Sequence, residues 1–168
     1  MPRYILAPYV ATPPDVVVRM VELADVRATD RVYDLGCGDG RLLIAAAKLR
    51  GASGLGVDIE PYWIEQARAH AEQAGVSHLA RFEAEDALEV DLSSATVVFL
   101  YLVPWSTQRV LERLQQHCAP GTRIVSHSFG FDGVADSVTE TFVDDSGTSR
   151  TLHRCVIPGS KVFVPPPA

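Results

Sequence analysis

The sequence predicts an α/β protein with a mostly parallel sheet, helices on both faces and an antiparallel hairpin at the C-terminal end. Three observations lead to this class. Short apolar runs typical of buried strands alternate with longer amphipathic runs of helical spacing. A glycine-rich loop, DLGCGDGR at 34–41, joins the first strand to the helix that follows it. Only a short turn separates the last two strand-like runs.

Length and composition indicate one domain with a substantial core, since the chain has 168 residues, of which 47% are hydrophobic. We expect this domain to span residues 1–160 and the proline-rich segment 161–168 to form a flexible tail. The net charge of −6 is unfavourable for nonspecific nucleic-acid binding, which depends on clustered Lys and Arg. The charge favours a basic partner instead.

The first element is an entry helix in TPPDVVVRMVELADV, with Thr12 as its N-cap and two prolines at its start. Its predicted buried face is formed by Val17, Met20, Val21 and Ala24. This spacing is typical of a helix that packs one side against a sheet.

The alternation of strands and helices begins with strand RVYDL at 31–35 and helix RLLIAAAKLR at 41–50, which ends before a glycine. Further strands are predicted at 53–59, 79–84, 95–101 and 123–129, and further helices at 61–74 and 106–118. Strands connected through helices lie parallel. The final strands, predicted at 137–143 and 150–157, flank a turn that contains Gly147, so they form a hairpin.

The spacing of glycines in the glycine-rich loop limits the classes of ligand that it can bind. Gly36, Gly38 and Gly40 follow a GxGxG pattern, and Arg41 stands where a dinucleotide-binding loop has its third glycine. No Lys-Ser/Thr pair follows, which excludes a P-loop. Cys37 lies between two of these glycines, and we interpret it as a small residue that fits the turn rather than as a reactive thiol.

Acidic residues stand at the carboxyl ends of three successive predicted strands and suit a cationic ligand. Asp34 and Asp39 flank the glycines, a poor arrangement for pyrophosphate but a good one for an ammonium or sulfonium group. Asp58 ends the second strand, where a carboxylate can accept hydrogen bonds from ribose hydroxyls. Glu85 and Asp86 follow the third strand, near the expected adenine edge. Each feature also has a purely structural explanation: the glycine loop as a tight turn, Asp58 as a helix cap, and Glu85 with Asp86 as a solvated charged turn. Their occurrence together at three strand ends predicts S-adenosyl-L-methionine as cofactor.

The motifs DLGCGDGR, GVDIEP, EDA and LYLVP resemble those of class I S-adenosylmethionine-dependent methyltransferases. The stretches PYVATP, LYLVP and VSHSF resemble more narrowly a group of protein lysine methyltransferases, from the broad-specificity archaeal enzyme to its mitochondrial relatives. The resemblance implies a seven-stranded Rossmann-like sheet with the last strand inserted antiparallel. It also implies methyl transfer to the side-chain amine of a lysine.

The resemblance supplies expected roles for individual residues. The expected cofactor-binding residues are Asp34, Gly36, Cys37, Gly38, Asp58, Glu85, Asp86 and Tyr101. Tyr9, Tyr101 and Pro104 are expected to line the methyl-transfer site. The enzyme mainly has to align a neutral amine with the activated methyl group, so we expect no metal and no catalytic acid.

The segment after the fourth strand, YLVPW, limits the acceptor. Enzymes that methylate base or glutamine nitrogens resemble one another in an Asn/Asp-Pro-Pro-Tyr segment, and this chain has no amide or acid at the first position. This weakens the nucleic-acid and glutamine interpretations and leaves an alkyl amine or a small molecule as acceptor. The resemblance implies a protein substrate with a lysine amine; we expect that protein to be basic, and we expect no nucleic acid as partner. A small-molecule N- or O-methyltransferase and a non-catalytic S-adenosylmethionine-binding module remain as alternatives, and a nicotinamide oxidoreductase is disfavoured by loop spacing.

Two further expectations concern His127 and the cellular compartment. His127 ends the fifth predicted strand, and we expect it to bond to backbone rather than to act as a base. The first residues make a poor signal peptide, and the longest apolar run is too short to span a bilayer. Three scattered cysteines form no CxxC pair. A cytoplasmic protein without membrane insertion is therefore expected, of unspecified oligomeric state.

Overall fold

The structure, a computed structural model, describes residues 11–101, 104–127, 130–131 and 137–159, with only the backbone described at 104–108. The expected tail at 161–168 lies outside these residues. Four helices and seven strands occur in the described part of the chain. In chain order they are α1 (Pro14–Leu23), β1 (Arg31–Leu35), α2 (Arg41–Arg50), β2 (Ser53–Asp58), α3 (Pro61–Gln73), β3 (Ala80–Ala84), β4 (Val97–Leu100), α4 (Pro104–His117), β5 (Arg123–His127), β6 (Val138–Val143) and β7 (Ser149–Val156).

The strands form one sheet in the order β3-β2-β1-β4-β5-β7-β6. Strands β1 to β5 run parallel to one another, whereas β7 pairs antiparallel with both β5 and β6. The predicted α/β class, with its mostly parallel seven-stranded sheet and antiparallel C-terminal hairpin, is confirmed. The strand order reverses direction between β1 and β4, and ligands of open α/β sheets bind outside the carboxyl ends of the strands at such a point.

Each face of the sheet carries its own apolar core. Helices α1, α2 and α3 cover one face, where Phe82, Phe99 and Val125 are buried. Helix α4 and the helix-free connection 85–96 cover the other face, around Leu100 and Ile124. Helices therefore lie on both faces, as predicted, but three of the four share one side.

The entry helix differs from the prediction at its start. Its N-cap is Pro13 rather than Thr12, and no side chain caps it. The physical reason lies in the two prolines, because a residue before proline is held in an extended conformation. Pro14, as the first helical residue, also has no N–H for a Thr12 hydroxyl to cap. The predicted buried face was correct, since Val17, Met20 and the other named positions are buried.

The C-terminal hairpin turns at the predicted glycine. Gly147 has φ of 84° and donates its N–H to the Asp144 carbonyl at 2.9 Å. The predicted ends of the other strands and helices lie within a few residues of the observed ones. In the described parts of the chain, none of the helices has the length and apolar character needed to cross a membrane.

Candidate functional site

The polar residues predicted for the site meet at the carboxyl edge of the parallel strands. We call the ends of β1, β2 and β3 the cofactor half of this edge, and the ends of β4 and β5 with the start of β7 the acceptor half. Strand register aligns the two halves, because Leu35 is paired with Val57 on one side and with Leu100 on the other. Residues that follow these strand ends are therefore neighbours.

The glycine-rich loop is folded onto the end of β2 by backbone hydrogen bonds. Gly36 and Cys37 both donate their N–H groups to the Val57 carbonyl, at 2.8 and 2.9 Å. Gly36, Gly38 and Gly40 have φ of 84°, 52° and 83°. This left-handed region strains residues that have a Cβ atom, which explains why glycine alternates through the loop.

Asp34 is a buried carboxyl with no hydrogen-bond partner among the described residues. Its side chain belongs to the end of β1, and the residue is 5% exposed. Burial, with the negative charges of Asp58 and Asp39 as smaller causes, raises the pKa of Asp34 to about 7. A cation bound next to this carboxyl would favour its ionised form.

Asp58 connects two strand ends of the cofactor half. Its Oδ2 accepts a hydrogen bond from the Gly38 N–H at 3.0 Å, and its Oδ1 accepts one from the Glu60 N–H at 3.0 Å. The second bond forms a local turn before α3, whose N-cap is Glu60 and which has no side-chain cap, so Asp58 does not cap that helix as the sequence alternative had it. The half-buried carboxylate has further lone pairs, so these bonds are compatible with a ribose ligand.

Glu85 and Asp86 follow β3 on the helix-free connection. The Glu85 N–H is bonded to the Asp58 carbonyl at 3.1 Å, which brings the end of β3 against the end of β2. Asp86 accepts a hydrogen bond from the Leu88 N–H at 2.9 Å and forms a local turn. Both acids are half-buried at the predicted edge of the sheet.

Asp39 was expected to be a second acid, beside Asp34, that faces a cationic ligand, and the structure shows a different role. Its carboxylate is paired with Arg41, with Nη2 and Oδ2 at 2.6 Å and Nε and Oδ1 at 3.0 Å. The same guanidinium donates to the Thr12 carbonyl at 3.0 Å. Because Asp39 already has a cationic partner, Asp34 is the loop's available acid.

Cys37 is packed into the loop as a small buried residue, 6% exposed. Burial, and secondarily the nearby Asp34 and Asp58, raises the pKa of its thiol well above the usual range. A Cβ atom built at Gly56 would lie 2.9 Å from the Cys37 Cβ, so the two backbones approach closely. These features agree with the small-residue interpretation and not with a reactive thiolate.

Tyr101 and His127 form the centre of the acceptor half. Their rings are stacked with centroids 4.3 Å apart and planes at 24°. His127 is fully buried, and among the described residues neither of its ring nitrogens has a hydrogen-bond partner. The expectation that His127 bonds to backbone was therefore wrong for this part of the chain.

The sequence reasoning missed a charged pair beside His127. The Arg150 Nε donates to Asp144 Oδ2 at 2.7 Å, and both residues act electrostatically on His127. Asp144 also accepts from the Ser146 hydroxyl at 2.5 Å and from the Thr148 N–H at 2.9 Å, and these bonds hold its pKa below the usual range. The acid-rich turn DDSGTS predicted a hairpin. Nothing local in the sequence indicated that Asp144 and Arg150 would lie near His127 at the end of β5.

The structure does not describe the side chains of two predicted transfer-site residues. Tyr9 lies outside the described residues. Pro104 begins α4, and its side chain is not described. Thr12, three residues after Tyr9, lies against the glycine-rich loop through Arg41.

The residues at this edge fit S-adenosylmethionine on chemical grounds. The partnerless, buried Asp34 carboxyl matches an ammonium or sulfonium group. The positive-φ glycines expose backbone where a ligand can approach closely. Asp58 and Asp86 present carboxylate oxygens at the next two strand ends, which suits hydroxyl and amine donors.

Comparisons with known proteins agree with this chemistry. The family model of the ANTKMT methyltransferase domain matches residues 34–137. A protein-lysine N-methyltransferase from Saccharolobus islandicus is 44% identical over 151 residues, which make up 89% of this chain and 93% of that protein. An adenine nucleotide translocase lysine N-methyltransferase from Mus musculus is 30% identical and covers 94% of this chain and 72% of its own length.

One solved structure is similar along most of the chain. It is an RNA methyltransferase from Salinibacter ruber in complex with S-adenosyl-L-homocysteine, with a TM-score of 0.83 and 46% sequence identity. The match covers 90% of this chain and 95% of that one.

Proposed function

Because the chain belongs to the ANTKMT methyltransferase family and is thus an S-adenosylmethionine-dependent methyltransferase, we propose that its methyl acceptor is the side-chain amine of lysine in proteins. The observation that carries this proposal is the aromatic, amide-free acceptor half, where Tyr101 stacks on His127. The lysine-specific names of the relatives that align along most of the chain support it.

The proposal assigns the cofactor half to S-adenosylmethionine. Asp34 pairs with its cationic methionine portion, and Gly36, Cys37 and Gly38 supply the backbone surface. Asp58 receives the ribose hydroxyls. Glu85 and Asp86 lie at the adenine edge, with Tyr101 bordering the cofactor from the acceptor half.

The acceptor half would guide the amine. When bound, the cofactor supplies a methyl group already activated by a sulfonium, so the protein needs alignment more than acid or base chemistry. Tyr9, Tyr101 and Pro104 are proposed to line the approach. Aromatic walls exclude water and favour a neutral amine, whose lone pair is required for attack. They also stabilise the alkylammonium product.

RNA is the competing acceptor, because a 46%-identical neighbour is described as an RNA methyltransferase. Two features of this chain argue for protein instead. The net charge is −6, whereas RNA binding depends on Lys and Arg clusters. The residue after β4 is Tyr101 in place of the amide or acid that grips a base nitrogen. A basic protein substrate is complementary to the chain's charge.

The deciding experiment offers protein and RNA acceptors to the enzyme together. The enzyme is incubated with methyl-labelled S-adenosylmethionine and an extract from cells low in methylation. Identical samples are then treated with protease or with ribonuclease, and the protein fraction is hydrolysed in acid. Label in methyl-lysine supports the proposal. Label that ribonuclease releases, label only in small molecules, or no label would each contradict it.

The proposed catalytic unit is residues 1–160 with the proline-rich segment 161–168 as an accessory tail, and the proposed compartment is the cytoplasm. Cys37, Cys118 and Cys155 are all buried free thiols. Unpaired cysteines suit a reducing environment.

A further inference from the structure

The most unusual group outside the cofactor half is the imidazole of His127. It is fully buried, yet neither Nδ1 nor Nε2 has a hydrogen-bond partner in the described part of the chain. A buried polar group without a hydrogen-bond partner destabilises the folded protein. A phenylalanine would keep the aromatic contact with Tyr101 without that cost. The nitrogens therefore indicate a partner that is present only in another state of the protein.

The position of His127 indicates what that partner is. Tyr101 and His127 follow the buried Phe99 and Val125 by two residues, so both rings lie on the sheet face covered by α1, α2 and α3. They stand at the carboxyl ends of β4 and β5, directly beside the strand-order reversal. The Tyr101 ring is half-buried and is stacked on the His127 ring, so it is a neighbour of His127 that keeps some contact with solvent.

The charge state of His127 suits an acceptor of hydrogen bonds. Burial, and secondarily the positive charge of Arg150, lowers its pKa to about 4, while Asp144 opposes this shift. The imidazole is therefore neutral at physiological pH and carries one lone-pair nitrogen. Such a group can hold an N–H of an amine but is too weak a base to deprotonate a lysine.

We propose that His127 contacts the substrate and accepts a hydrogen bond from the neutral acceptor amine, fixing the direction of the amine's lone pair. This inference rests on the proposed lysine acceptor. The lysine chain lies against the Tyr101 ring, which shifts to admit it. The amine N–H then satisfies one of the two imidazole nitrogens that lack a partner.

The test compares three substitutions at one position. His127→Phe keeps the ring and removes the nitrogens, whereas His127→Asn and His127→Gln keep an acceptor near the positions of Nδ1 and Nε2. The substrate probe is poly-L-lysine. His127→Phe is expected to lower kcat/KM roughly tenfold, the effect of one hydrogen bond. At least one amide variant is expected to recover most of that loss, and S-adenosylhomocysteine affinity is expected to stay within about twofold in all three.

A stability measurement separates this role from a structural one. If the nitrogens lack partners in the free protein, His127→Phe leaves the Tm unchanged or raises it. His153→Phe is the matched control, since His153 lies one strand away, beside Ser126, and bonds to Thr139 at 3.0 Å. It is expected to leave kcat/KM unchanged. A lower Tm for His127→Phe, or full activity in that variant, would overturn the inference.

The remaining outcomes are also decisive. If both amide variants are as inactive as His127→Phe, the acceptor role is wrong. If the wild type transfers no methyl to poly-L-lysine, the proposed function fails before any variant is compared. The His127 inference is then judged by ¹⁵N NMR of the wild-type imidazole. A shift of one ring nitrogen on adding n-butylamine with S-adenosylhomocysteine supports it, and no shift refutes it.

Discussion

In the cofactor half of the carboxyl edge, polar groups are largely bonded within the chain, whereas in the acceptor half a buried imidazole is left without partners. The glycine-rich loop is tied to Val57, and Asp58 is bonded to Gly38 and Glu60. The His127 ring is stacked on Tyr101, and its two nitrogens have no hydrogen-bond partner among the residues that the structure describes. The glycine-rich loop and the strand ends of the cofactor half are thus held by internal hydrogen bonds, whereas the buried imidazole of the acceptor half lacks such bonds in the described part of the chain.

The largest expected effect on ligand affinity comes from the Asp34 carboxylate in the cofactor half. Asp34→Asn removes the anion that meets the cofactor's cation, and S-adenosylmethionine affinity is expected to fall roughly hundredfold or more, because a broken buried ion pair costs about 3 kcal/mol or more. Calorimetric titration measures this loss. An unchanged affinity would show that Asp34 does not contact the cofactor.

The same substitution is expected to stabilise the ligand-free protein. The folded-state pKa of Asp34 is raised from 3.8 to about 7, so ionisation is penalised by the fold. This penalty is absent below pH 4, grows between pH 4 and 7, and reaches up to about 4 kcal/mol at pH 8. The free energies of unfolding of the wild type and of Asp34→Asn, measured in urea at pH 4 and at pH 8, check this difference. Asp144→Asn is the matched control of opposite sign, because the pKa of Asp144 is lowered and its charge stabilises the acceptor half.

The raised pKa of Asp34 also makes cofactor binding depend on pH. Binding of a cation requires the ionised carboxylate, so below pH 7 a proton must leave as the cofactor binds. Wild-type affinity is expected to rise about tenfold per pH unit up to about pH 7 and then level off. Titrations in two buffers of different ionisation enthalpy count the released proton. A flat profile in the wild type would contradict the assigned role, and a flat profile is expected for Asp34→Asn.

A smaller effect is expected from the packing of the glycine-rich loop. Gly40 has φ of 83°, and a Cβ there would lie 2.8 Å from Phe82 Cζ and 2.9 Å from Ala67 Cβ. Gly40→Ala therefore adds overpacking to left-handed strain and should destabilise the protein by about 3 kcal/mol. Gly75→Ala is the control, since it has φ of 72° but no atom within 4 Å, and about 1 kcal/mol is expected. Equal losses in urea unfolding would show that the loop is not tightly packed.

The two halves also differ in how far the sequence predicts them. Asp34, Asp58 and Asp86 all lie within two residues of a strand end, so recognising the strands placed these acids at one edge. The sheet itself was predictable because strand and helix periodicities alternate along the chain. The wrong N-cap at Thr12 has a local cause, since two consecutive prolines moved the helix start.

The acceptor half depends on pairing between distant segments. Arg150 reaches the vicinity of His127 because β7 runs antiparallel to β5 with Leu152 opposite His127. That register is fixed by the packing of the whole hairpin, and a shift of one residue would turn Arg150 to the other face. Sequence patterns give the existence of the hairpin but not this register. The same limit applies to the absence of partners at the His127 nitrogens.

The smallest expected effect is the lack of reaction of the Cys37 thiol with an alkylating reagent. This tests whether the glycine-rich loop is already folded without its ligand. Its thiol is buried, and burial beside Asp34 and Asp58 raises its pKa, so very little thiolate exists at pH 8. Iodoacetamide is expected to leave Cys37 unmodified in the folded protein, with or without S-adenosylmethionine, as judged by peptide mass spectrometry. The urea-unfolded chain is the control and should react readily. Rapid labelling of Cys37 without unfolding would mean that the loop opens freely, and the cofactor half would then be assembled by its ligand, as we infer for the acceptor half.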